Sequence, residues 1–309
     1  MANDVPTANA LHPCSAGNGQ STFRTKKFIM PHAPVVAAPL SHSNIEDQLR
    51  YMLLTEDLPA HAVLENDVRQ VLAELQRRRQ ARRAVVPPSR SSSLAAFHRP
   101  HVMALVQACE APHNGAALDI LRSFLGSCCP SSGKDLSRAL VAVPLAELLL
   151  QRREHTEDVQ YALSLLDEAS AAGHVGAMLL VGLCLRDGVG VPADLIAALT
   201  WVERAADAGY APAMFELGVM FEDGVVCGDS QLPSDWGDAQ QWYRRAAEHG
   251  HTMAQLNLGK LLWRAAAGVG QGVCGEHMVS GLKEQSLEWL GRAAASGNEE
   301  AMRLLRCKQ

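Results

Sequence analysis

Residues 270–275 read GQGVCG and match the spacing G-x-G-x-x-G, and Cys274 with His277 forms C-x-x-H in the same stretch. In a strand–turn–helix the first spacing brings backbone N–H groups and a helix N-terminus onto a pyrophosphate, and the second supplies half of a tetrahedral zinc site. Neither pattern has its context. The stretch follows a helical pattern that ends at about Ala266, no strand precedes it, and no second Cys/His pair stands at zinc-finger spacing. It is read as a glycine-rich insertion, and no cofactor, metal or catalytic residue is expected. The eight cysteines (Cys14, Cys109, Cys128, Cys129, Cys184, Cys227, Cys274, Cys307) include no C-x-x-C, so reduced thiols in a reducing compartment are expected. His174, His249 and His251 flank glycines and are expected to be surface turn residues. G-x-S-x-G, H-E-x-x-H and Walker spacings are missing. Residues 77–83, RRRQARR, could be a nuclear-import or anionic-surface patch; the preferred reading is a solvated helix end whose cations suit the dipole. Residues 87–93, PPSRSSS, place Arg90 and Ser93 at a spacing that basophilic kinases favour, but are read as a flexible hinge.

The elements that carry these residues repeat. A frame of glycine, alanine four residues on and glycine five after that fits Gly173, Ala177, Gly182; Gly209, Ala213, Gly218; and Gly250, Ala254, Gly259. Eight residues before each leading glycine stands a large apolar residue: Leu165, Trp201, Trp242, and Trp289 before Gly297. Alanine pairs lie between, at Ala205 and Ala206, Ala246 and Ala247, Ala293 and Ala294. A long period in fixed register marks a solenoid, in which each unit buries its apolar face on the next. Successive intervals of 36, 41 and 47 residues place the growth in inter-helix turns, at 225–237 and 268–281. Loop-closure entropy rises slowly with length there, and both segments are expected to project and to be mobile.

Within a unit, Ala198, Trp201 and Ala205 form one helical stripe, and the tryptophans are expected in the core between units. Gly182 allows a close backbone approach, Gly188 suits a left-handed C-cap, and Asp194 suits the next N-cap.

Residues 180–209, LVGLCLRDGVGVPADLIAALTWVERAADAG, resemble a Sel-one-like repeat, a branch of the tetratricopeptide superfamily. The likeness continues in AMFELGVMFEDGV, while Leu185, Phe221 and Leu262 stand where tyrosine is usual and Ala265 replaces a turn glycine. A degenerate unit fits 137–172, with Ala146 in the glycine slot and Asp158 in the cap slot. The resemblance implies an all-α solenoid of helix–turn–helix repeats that acts as an adaptor, with no catalytic residues.

Residues 1–43, proline-rich and polar, are expected to be disordered, with a mitochondrial transit peptide as the alternative to a cytoplasmic protein. Residues 44–135 form an N-terminal helical region with a linker near 85–93, whose helices cap the array of 136–309. Residues 137–309 carry 14 Lys and Arg against 22 Asp and Glu, a poor nucleic-acid surface, and no apolar run spans a membrane.

The expected function is a non-enzymatic scaffold holding a partner protein's helix or peptide within a larger complex. The alternative is a hydrolase or other enzyme with a site between repeats and insertions. If first helices line the concave side, as the resemblance implies, one helical face collects Leu179, Leu183, Arg186, Phe215, Val219, Glu222, Met253, Leu256, Lys260 and Trp263. It is expected as an exposed apolar strip covered by a partner helix, with Phe215 and Trp263 as anchors. This chain's own N-terminal segment is the other candidate cover.

Overall fold

The computed structural model describes residues 45–53, 61–83, 99–127, 136–152, 155–227, 230–269 and 276–308. The expectations for 1–43, for the 85–93 linker and for GQGVCG fall outside them. Four helices come first: α1 (Ile45–Leu53), α2 (His61–Arg83), α3 (Pro100–Cys109) and α4 (Asn114–Ser127). Helix pairs then stack: α5 (Leu136–Arg152) with α6 (Thr156–Ala171), α7 (Val175–Asp187) with α8 (Leu195–Asp207), α9 (Ala211–Asp223) with α10 (Trp236–Glu248), and α11 (Thr252–Val269) with α12 (Glu276–Ala295). A last helix, α13 (Glu299–Lys308), packs on α12. The second helix of each pair also packs on the first of the next, giving the expected all-α solenoid.

Glycine explains how tightly a pair closes. A Cβ on Gly182 would lie 2.6 Å from Val202 Cγ2, on Gly218 2.5 Å from the Tyr243 ring, and on Gly259 2.8 Å from Leu290. Each first helix thus offers a hole, and the residue that fills it stands one place after the tryptophan. Val202, Tyr243 and Leu290 are fully buried, whereas Trp201 and Trp242 are only half-buried and Trp289 is 7% exposed. The expectation of core tryptophans therefore holds for Trp289 and is corrected for Trp201 and Trp242. Each indole lies under an arginine one turn on: Arg204, Arg245 and Arg292 sit 4.7, 4.5 and 4.4 Å from their ring centroids. The helical period explains the exchange, because adjacent positions are about 100° apart and only one of them can point into the partner helix.

The alanine pairs also have a defined task. At each unit boundary two N–H groups fold back onto the preceding helix: Gly209 and Tyr210 donate to Ala206 and Ala205, Gly250 and His251 to Ala247 and Ala246, Gly297 and Asn298 to Ala294 and Ala293. These Schellman turns need a left-handed residue, which glycine supplies at φ between 80° and 91°. Asp194 caps α8 through the N–H groups of Ile196 and Ala197, and Gly188 ends α7 at φ 67°, as the sequence predicts. Asp158 is no cap: His155 holds that place in α6, and Asp158 pairs with Arg122 of α4.

Both expected projections differ from the sequence reading. Strands β1 (Val225–Cys227) and β2 (Ser230–Leu232) pair antiparallel, and Cys227 is buried with Leu195 of α8 and Met220 of α9, so this insertion packs down on the array. Of the other, 268–269 end α11 and 276–281 open α12, while its middle lies outside the described residues.

Candidate interaction face

The first helices of successive units present their N-cap residues in one column: His174, Tyr210, His251 and Asn298, each one place after a leading glycine. Three of these side chains accept the exposed N–H groups of their own helices. His174 Nδ1 takes Ala177 N–H at 3.3 Å, His251 Nδ1 takes Ala254 N–H at 3.2 Å, and Asn298 Oδ1 takes Ala301 N–H at 2.9 Å. His174 and His251 are buried, which corrects their placement as surface turn residues. Burial holds the His251 imidazole down to about 3, so it stays neutral and keeps its cap.

Helix α1 is what buries part of this column. Leu49 and Met52 share a cavity of about 20 Å³, room for about one water, with Leu140, Leu179, His174 and Tyr210. Between Leu49 and Met52 in sequence, Tyr51 lies 5.2 Å from the His251 ring, and its hydroxyl takes a hydrogen bond from the Thr252 backbone. His251 in turn stacks on Phe215 at 4.7 Å. One nine-residue helix therefore reaches from α5 to the start of α11.

Polar groups in the seat are few and costly. Glu147 of α5 is 4% exposed; it accepts a hydrogen bond from the Gln151 amide at 3.2 Å, and burial pushes its carboxyl up to about 8. Pro144, inside α5, cannot donate to the Leu140 carbonyl, and both residues line the same cavity. Burial also raises the Tyr210 phenol. A carboxyl, an imidazole and a phenol thus meet here, in surroundings whose burial favours the protonated acid and phenol. Among the described residues no group of three or more His, Cys, Asp or Glu could hold a metal ion, and no helix is long and apolar enough to cross a membrane.

The ten residues expected on an exposed strip divide. Leu179, Leu183, Arg186, Phe215 and Leu256 are buried, so they are packing residues of the array rather than anchors open to solvent. Arg186 forms a buried pair with Glu216 of α9 at 3.3 Å and also holds Asp187 at 2.8 Å. Burial drives the Glu216 carboxyl up to about 7 against the pull of that arginine. Val219, Glu222, Lys260 and Trp263 are half-buried, and Met253 is exposed. Glu222 accepts from Tyr243 Oη at 2.8 Å and from Arg264, Lys260 pairs with Glu300, and Lys283 lies 5.8 Å above Trp263. The strip ran inward because neighbouring helices cover it: Leu179 lies by α1, Phe215 against Tyr243 of α10, and Leu256 with Leu290 of α12.

The arginines of α2 do structural work. Arg79 holds Glu46 of α1 at 2.6 Å, and Arg78 bridges Glu74 and Glu110, the residue that caps α3. The Arg-rich helix end clamps the N-terminal helices to one another.

Comparison with known proteins bears on the array. The Sel1 repeat family matches residues 175–210, 211–251 and 252–298. Among solved structures, a Sel1 repeat protein from Oxalobacter formigenes is 28% identical over 47% of this chain and 96% of that one, with a TM-score of 0.37. A protective antigen of uropathogenic Escherichia coli strains, displaying an SLR fold, is 19% identical over 65% of this chain and 43% of that one, with a TM-score of 0.44. No curated protein matches.

Proposed function

Since residues 175–298 are three Sel1 repeats, a kind of repeat that typically mediates protein–protein interaction, we propose that this chain is a non-enzymatic scaffold. It holds a helix or extended peptide of a partner protein, within a larger assembly, against the face formed by the first helices of the array. The observation that carries this reading is α1, a helix already seated across that face on His174, Tyr210 and His251. Beyond α1 the face continues with Val219, Met253, Lys260 and Trp263, apolar surface rimmed by charge. A photo-crosslinking residue at Met253 should capture a partner segment that the same residue at exposed Ile196, on a second helix, does not. Serine at both Met253 and Trp263 should then lower partner affinity at least tenfold with little change in melting temperature. Equal capture from both positions would refute the assignment of the face.

A further inference from the structure

The α1 seat contains a mismatch. Glu147 lies at its floor, buried, and no cation pairs with it among the described residues; α1 offers the cavity an uncharged amide, Gln48, beside the apolar Leu49 and Met52. A buried carboxyl without a cation must either remain protonated or bear an unpaired charge, and a well-placed cation removes the cost of that unpaired charge. Helix α1 packs chiefly on α2 and α3, and it reaches the array through Leu49, Met52 and Tyr51. At nine residues it is shorter than the roughly 12–15 needed for an isolated helix to persist, so it is helical only while seated. Glu46 ties it to Arg79 of α2 and pairs with its own Arg50, both half-exposed arginines.

We infer that the α1 seat is an interaction surface for a partner helix bearing a lysine or arginine at the register of Gln48, and that α1 is its resident competitor. This deepens the scaffold function above and rests on it. The partner helix would repeat the apolar pair of Leu49 and Met52, one turn apart, and add a cation that reaches Glu147. The cation supplies the specificity, because any amphipathic helix can supply the apolar pair. In the free chain α1 keeps the apolar floor covered and lowers the apparent affinity for the partner, so binding requires α1 to leave.

Two measurements on the full chain test this. First, Gln48→Lys should raise the melting temperature by several degrees, and the gain should vanish in the Glu147→Gln background. A gain that persists without Glu147, or no gain at all, overturns the cation register. Second, a synthetic peptide of residues 43–53 with lysine in place of Gln48 is added in excess while amide exchange of α1 is followed by mass spectrometry. Exchange of residues 46–53 should quicken at least tenfold with the lysine peptide and less with the Gln48 peptide. Unchanged α1 exchange with both peptides overturns displacement. If α1 stays seated while crosslinking from Met253 still captures a partner, the scaffold function stands and only this inference falls.

Discussion

Replacing Glu147 by glutamine should stabilise the protein, and the gain should grow with pH. The folded chain holds this carboxyl at about 8 against an ordinary value of 4.5, because burial penalises the charge more than the Gln151 amide relieves it. The folded state therefore binds the proton more tightly than the unfolded state. The stability that depends on it is complete below about pH 4.5 and is lost as pH rises toward 8. At roughly 1.4 kcal/mol per unit of separation, the loss is about 4 kcal/mol at pH 8 and under about 1 kcal/mol at pH 5. Glutamine keeps an acceptor for Gln151 and has no charge to bury, so the variant escapes the loss. Urea unfolding of both proteins at pH 5 and pH 8 gives a difference in which the other titrating groups cancel. That difference should be small at pH 5 and several kcal/mol at pH 8, with a melting gain of roughly 2–4 °C per kcal/mol. An equal difference at both pH values would show that the carboxyl titrates normally and is not desolvated by α1 and α5.

Three further outcomes follow from the packing. Trp201→Ala should cost about 1–2 kcal/mol, since the indole is half in water under Arg204, while Val202→Ala should cost roughly 2 kcal/mol despite its smaller side chain; thermal melts compare the two. Gly218→Ala puts a methyl 2.5 Å from the Tyr243 ring and should cost more than about 2 kcal/mol, whereas Gly126→Ala, with open space around it, should be neutral or stabilising. His251 has the opposite pH sign to Glu147: its folded value of about 3 lies below the ordinary 6.5, so its contribution is present above pH 6.5 and lost on acidification. His251→Asn, which keeps a cap like that of Asn298, should flatten the fall in stability between pH 6.5 and pH 4.

Much of the array was legible because its signals are local. Glycines at positive φ, the alanine carbonyls they fold onto, and Asp194 at an N-cap each act within one turn of chain, so residue type and spacing suffice to place them. Trp201 and Trp242 were misplaced by one residue for the same reason, while Trp289 is buried as expected. A regular tryptophan is visible in one sequence, whereas its neighbours Val202, Tyr243 and Leu290 share no residue type and show their common role only against Gly182, Gly218 and Gly259. The histidines were misread because His174 and His251 satisfy their own helices through Nδ1, an act that polarity scales cannot register. The ribbon was missed because three-residue strands leave no period to detect.

The interaction face was legible as a helical stripe but not as a surface. Leu179, Phe215 and Leu256 share the periodicity of Met253 and Trp263, and periodicity reports which way a side chain points, not what lies opposite it. What lies opposite Leu179 is α1, more than a hundred residues earlier in the chain, and α1 also reaches His251, about two hundred residues later than itself. Such a contact has no local signature. Its traces in sequence are Tyr51, Leu49 and Met52 on an otherwise ordinary amphipathic helix, and Glu147 set in an apolar run where a carboxyl has no local reason to be. That glutamate is the informative residue: Gln151 answers it within α5, Gln48 stands near it without a charge, and a scaffold that kept the seat for α1 alone would be more stable with an apolar or amide side chain there. A carboxyl retained at that cost is accounted for if a second helix, with a cation, takes the seat in turn.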